Sequence, residues 1–482
     1  MFKRSAIACY TVATLSAPCF AADSDEIRST LQDQQEVAVT IYNDNLALVK
    51  DQRKVKLKLG TNSLALRDVS AQIRPETALL RSLTTAGSLS VLEQNFDFDL
   101  LTPQKLLEKF VGKNVGIIKT NPTTGIETTE QAQVLSANSG VVLKMGDRIE
   151  TGIPGRIVYS DVPANLRDRP TLVVQLQNKG SSEQNVELSY LTGGLGWKAD
   201  YVAELNPAED KLDLSGWVTL SNTSGTTYRN AKLQLVAGDV NQVQEPHLPA
   251  MEMRMKTMAM DAAASPMAEE SLLEYHLYSL DKPTTIAENQ TKQVALLSAS
   301  SVPTHKELVL RGADYYYYYQ SSYGDLGQKL KVGVFVEFDN KESTHLGLPL
   351  PKGIIRVYKK DSNGNAQFVG EDRIEHTPKN ETVRLKLGDS FDVTADKKQT
   401  DFKKLPNPAK GNNAFESAYE IVLKNAKQER VTVTVLEPIP GDWKIIKSSH
   451  PGDKAASNTA VWKIDIPAEG KTTLTYRVQV KY

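Results

Sequence analysis

From Val37 onward, apolar and polar positions alternate with period two and seldom stop, the pattern of half-buried β-strands. Val37-Ala38-Val39-Thr40-Ile41-Tyr42 predicts a strand, and Asn43-Asp44-Asn45 supplies turn chemistry. Val55-Lys56-Leu57-Lys58-Leu59 alternates cleanly, and Leu64-Ala65-Leu66 and Leu89-Ser90-Val91-Leu92 continue a first β-domain over 36–100. Thr102 can cap a short helix, Pro103 suits its first position, and Leu106, Leu107 and Phe110 share one face. Short glycine-punctuated strands then follow, so 101–165 reads as a short helix plus a small β-barrel.

A longer region, 170–400, carries strands at sandwich-like spacing. They include Leu172 to Leu176, Val186 to Tyr190, Lys198 to Leu205, Leu212 to Leu220 and Lys232 to Val236. Residues 246–271 break this pattern. They are rich in Pro, Ala, Met and Glu without apolar periodicity, and predict a disordered insertion. Strands resume from Glu274. The last unit, 415–482, packs several strands into a short length and predicts an immunoglobulin-like sandwich. The expected fold class is therefore mainly β: tandem β-domains with a central β-sandwich and a C-terminal immunoglobulin-like sandwich. Strands do not alternate with long helices, which argues against a parallel α/β enzyme.

Composition narrows the function classes. In 482 residues, 57 Lys and Arg nearly cancel 58 Asp and Glu, which removes the electrostatic footprint of a nucleic-acid binder. With 29 Gly and 22 Pro, a collagen-like chain is excluded. No stretch after the N-terminus reaches the roughly 20 apolar residues of a membrane helix. The N-terminus itself reads as a signal peptide over 1–21: Lys3 and Arg4, then a weakly apolar run, then Cys19-Phe20-Ala21 with small residues at the cleavage positions. Cys9 and Cys19 both lie inside it, so the mature chain would hold no cysteine, as suits a bacterial periplasmic or secreted protein. The closing alternation Leu474, Tyr476, Val478, Val480, Tyr482 fits the last strand of a sandwich or of an outer-membrane barrel, which leaves outer-membrane association open.

Three groups could carry binding. Trp197, Tyr201, Trp217 and Tyr228 are either an aromatic contact platform or a tryptophan-centred core. In the run Tyr315 to Tyr319, Tyr315, Tyr317 and Tyr319 would share one face of a strand and suit glycan or protein contact, or would pack locally at an edge. Met251, Met253, Met255, Met258 and Met260 offer soft thioethers for Cu(I), or a sticky loop. Six histidines (His247, His276, His305, His345, His376, His450) show no metal-ligand spacing. The sequence holds no nucleophile elbow, phosphate loop or dinucleotide fingerprint. No catalytic residues and no cofactor are expected.

Gly193-Gly194-Leu195-Gly196-Trp197-Lys198-Ala199-Asp200-Tyr201 resembles a bacterial family designated domain of unknown function 4139. The likeness continues through Leu212 to Gly225, Leu233 to Asn241, Tyr275-His276-Leu277-Tyr278, Thr291 to Leu296, Pro438 to Trp443 and Ser448-Ser449-His450-Pro451. The resemblance covers about 170–482 and implies an exported β-sandwich protein; relatives labelled mucoidy-inhibitor-like carry a coiled coil not evident here. The expectation is a non-enzymatic binding or adaptor module whose partner is an envelope protein or a surface polymer, with no nucleic acid and no transmembrane helix. A periplasmic hydrolase of glycan or peptide and a copper binder are the alternatives.

Overall fold

The computed structural model describes residues 26–43, 45–163, 166–238, 240–241, 267–312, 328–406 and 414–481. Strands dominate it, as the alternation predicts. The chain divides into two compact units, one formed by residues up to 37 and 50–191, the other by 38–49 and 192–482.

In the first unit, Glu26–Ser29 runs parallel to Gly60–Arg67, which pairs antiparallel with Thr171–Asn178, itself paired with Leu89–Asp97. Thr171–Asn178, which the sequence spacing groups with the central sandwich, thus completes a sheet begun over a hundred residues earlier. Its burial explains why: Thr171 through Val174 are all buried in succession, the run of a strand covered on both faces. Arg53 locks this sheet from within. Its guanidinium donates to the Asp51 carboxylate at 2.7 and 2.9 Å and to the Ser29 and Arg67 carbonyls at 3.0 and 2.7 Å.

The predicted helix is present as Pro103–Lys109, with the Thr102 hydroxyl accepting from the Lys105 N–H at 3.1 Å. Leu107 and Phe110 enter a core with Val115, Ile117, Val134 and Leu143. That core is roofed by five antiparallel strands in the order Arg148–Thr151, Val142–Met145, Glu127–Ser136, Asn114–Thr120, Arg156–Val158.

The second unit contains the longest strands. Leu195–Leu205 pairs antiparallel with Lys211–Asn222 and parallel with Gly353–Lys360. Gln290–Arg311, 22 residues long, pairs with Lys211–Asn222 along its first part and with Gln328–Asp339 and Val431–Pro438 along its last. Past it, Thr382–Leu405, Ala414–Asn425, Lys471–Lys481 and Asp442–Ser448 follow in order. They face Val431–Pro438 and Thr459–Ile466 across one core holding Tyr419, Trp443, Trp462, Tyr476, Val478 and Val480. The apolar face of the final strand, Leu474, Tyr476, Val478 and Val480, therefore lies inside this core.

The predicted disordered stretch 246–271 needs one correction. Ala268–Leu272 is a strand, paired antiparallel with Tyr275–Ser279 across a turn in which Leu273 has φ of 55°. Its Ala-Glu-Glu-Ser-Leu sequence has little β-preference, and the hairpin partner imposes the extended form. Residues 242–266 lie outside the described residues.

Candidate functional site

The second unit builds one small, rigid slot. Its floor is Pro349-Leu350-Pro351, and every backbone polar group of that tripeptide is committed. The prolines have no N–H; Leu350 exchanges two hydrogen bonds with Thr377, at 2.8 and 2.9 Å. The Tyr278 hydroxyl donates to the Pro349 carbonyl at 2.9 Å, and the Tyr201 hydroxyl donates to the Pro351 carbonyl at 2.8 Å. Just beyond, the Lys352 N–H donates to His376 Nδ1 at 3.2 Å, which assigns the proton of the neutral ring to Nε2.

The walls add His276, Tyr278, Thr377, Pro378, Ala237 and Gly238, with Glu274 exposed at the rim, around a cavity of about 170 Å³. Gly238 is required there: its φ is +127°, and a Cβ would lie 2.5 Å from the Tyr275 ring. The Thr377 hydroxyl is turned away, donating to the Glu375 carbonyl at 2.8 Å. The lining thus combines three prolines, Leu350, Tyr278, Ala237 and Gly238 with the His276 and His376 rings, Thr377 and the exposed Glu274.

Two further residues hold the floor. Asn340 is wholly buried; its amide donates to the Leu348 and Pro378 carbonyls at 2.7 and 2.9 Å, and its carbonyl accepts from the Gly347 N–H at 3.0 Å. Tyr201 is wholly buried, and its ring has room because the facing positions are glycines. A Cβ on Gly216 would stand 3.2 Å from that ring, and one on Gly353 would stand 3.1 Å from it and 2.3 Å from the Ala199 carbonyl oxygen. Burial, with Tyr278 and Asp200 nearby, pushes the Tyr201 hydroxyl well above its ordinary value, so it stays a neutral donor.

Of the aromatic group singled out in the sequence, Trp197, Tyr201 and Tyr228 are buried at 6%, 0% and 4% exposure, and only Trp217 keeps a partly exposed face. The four do not form an open platform; a strand that alternates into a core turns such rings inward. Trp197 packs with its indole N–H lacking an acceptor among the described residues. Tyr228 donates to the Ser224 hydroxyl at 3.2 Å within a turn in which Asn222 accepts from Ser224 and Gly225 has φ of 84°. Tyr315, Tyr317, Tyr319 and the methionines Met251, Met253, Met255, Met258 and Met260 lie outside the described residues. Among those that are described, no three His, Cys, Asp or Glu side chains are disposed to hold a metal ion. Nor is any helix there long and apolar enough to cross a membrane.

Sequence reading missed Asn340, Pro349, Pro351 and His376 as a group. The only signals were the Pro-Leu-Pro spacing and the Tyr275-His276-Leu277-Tyr278 motif, and neither tells which distant segment it meets.

A multi-sheet β-protein with a preorganised apolar slot is the class that fold and geometry define. The family model described as domain of unknown function DUF4139 matches residues 186–482, and the chain belongs to that family. The matched span contains all the residues lining the slot. No curated protein matches the chain.

Proposed function

We propose that the chain is an exported binding module of the bacterial cell envelope, and that the Pro349–Pro351 slot seats one apolar side chain of a protein partner. The observation that carries this reading is the floor itself: a tripeptide with all its polar groups tied down, shaping a cavity of about 170 Å³. Small-molecule sites usually span roughly 300–1,000 Å³. A slot of this size suits a single side chain, and its rigidity avoids the ordering cost that weakens flexible binders.

Export rests on the basic, apolar, small-residue order of the first 21 residues and on both cysteines lying within them. Osmotic-shock release followed by intact-mass measurement tests it. The mature protein should appear in the released fraction with Ala22 as its first residue; a cytoplasmic protein retaining Met1 would contradict export.

A further inference from the structure

A second cleft, separate from the slot, opens where strand pairing changes hands along Gln290–Arg311. On one edge of that strand, Lys211–Asn222 pairs as far as Pro303, and the Thr304 N–H still donates to the Asp210 carbonyl at 2.8 Å. From Leu308 onward the same edge is taken by Val431–Pro438, running parallel, while Gln328–Asp339 occupies the opposite edge throughout 304–309. Between these partners, no strand among the described residues lies beside His305, Lys306 and Glu307 on that edge. The gap forms a cleft of about 460 Å³, within the range of ligand sites.

Its walls are charged and held in place. Lys306, Lys427, Arg430 and Lys463 line it against only two carboxylates, Glu307 and Glu429. Glu307 is already neutralised by Arg384 at 2.8 Å. Lys306 is engaged by Glu209, and Arg430 stands 3.7 Å from Asp465. Lys427 and Lys463 take no carboxylate partner among the described residues. The turn presenting Lys427 is fixed by Asn425, whose carbonyl accepts from the Lys427 N–H at 3.0 Å and whose amide donates to the Glu429 and Pro467 carbonyls at 2.8 and 3.0 Å. Two uncommitted ammonium groups on a preformed turn and strand, beside the Thr434 hydroxyl, are complementary to an anion, while the Thr432 hydroxyl is committed to Asp465 at 2.7 Å.

We propose that this cleft is an anion-binding site for an acidic ligand bearing carboxylate or phosphate groups. It goes beyond the slot reading and stands whether or not that reading holds.

Titration calorimetry on the mature full chain tests it, with oligogalacturonate as the carboxylate probe, a short polyphosphate as the phosphate probe and maltohexaose as the neutral control. The proposal expects at least one acidic probe to bind, more weakly as salt rises, and the neutral one not to bind. Lys427→Gln/Lys463→Gln should weaken that binding at least about tenfold. Lys379→Gln, an exposed lysine outside the cleft, should leave it unchanged. Which probe binds identifies the charged group. The proposal is overturned if neither acidic probe binds, if maltohexaose binds as well, or if the double variant binds with wild-type affinity. Lys463→Gln alone, at an exposed strand position, serves as the second readout should the double variant melt early; wild-type affinity there together with an unaltered salt dependence would also overturn it.

Discussion

Lys397 and Glu437 are both wholly buried in the C-terminal core, with Nζ 2.5 Å from Oε2 and 4.8 Å from the Tyr419 ring centre. Burial pulls the Lys397 ammonium below its ordinary value, with Glu437 opposing that pull. Removing one member strands the other charge, so Lys397→Met should lose about 3–5 kcal/mol in urea unfolding. Lys397→Met/Glu437→Leu should recover that loss, because both desolvation costs vanish together. A single variant as stable as wild type would contradict this. Elsewhere, Arg167 donates to both oxygens of Glu26 at 2.9 and 2.7 Å, and that hydrogen bonding holds the Glu26 carboxyl below its ordinary 4.5 despite burial. A depressed folded-state value adds stability that is present above the unfolded value and lost as pH falls through the folded one. The first unit should therefore lose stability as pH drops below about 4.5, and Arg167→Met should flatten that slope; an unchanged slope would refute the linkage.

At the scale of elements, period-two alternation was a faithful guide wherever one strand face is buried. Lys471–Lys481 shows it plainly, with Leu474, Tyr476, Val478 and Val480 inside and Thr475 and Gln479 turned outward or half-covered. The helix was legible too, since capping, proline position and apolar spacing agree. Thr102→Ala should cost about 1 kcal/mol by calorimetric melting, through loss of the hydrogen bond to the Lys105 N–H. What alternation cannot encode is partner choice. Thr171–Asn178 reads like any sandwich strand, yet its neighbours are Gly60–Arg67 and Leu89–Asp97. The same limit hides glycine roles: Gly452 looks like a turn residue after Pro451, but a Cβ there would lie 2.2 Å from the Trp462 indole nitrogen. Gly452→Ala should force that indole from its bond to the Ser448 hydroxyl, with a lowered melting temperature as the readout.

At the scale of the whole molecule, the mainly β class and the family were readable in the sequence, whereas the slot was not. Its residues come from four stretches, near 238, 276, 350 and 377, that meet only through long-range pairing. Tyr201, conspicuous in the sequence as an aromatic, proves to be the strut beneath Pro351, and Asn340, inconspicuous there, ties the floor together. We propose that this slot grips a partner in the envelope. The most direct measurement places a photo-crosslinking amino acid at Glu274 on the rim and reads adducts from intact cells by mass spectrometry. One discrete protein adduct is expected, lost when Tyr201→Phe frees the Pro351 carbonyl and loosens the floor while the chain stays folded. No adduct in a folded, exported protein, or an adduct indifferent to Tyr201→Phe and to His376→Ala alike, would contradict it.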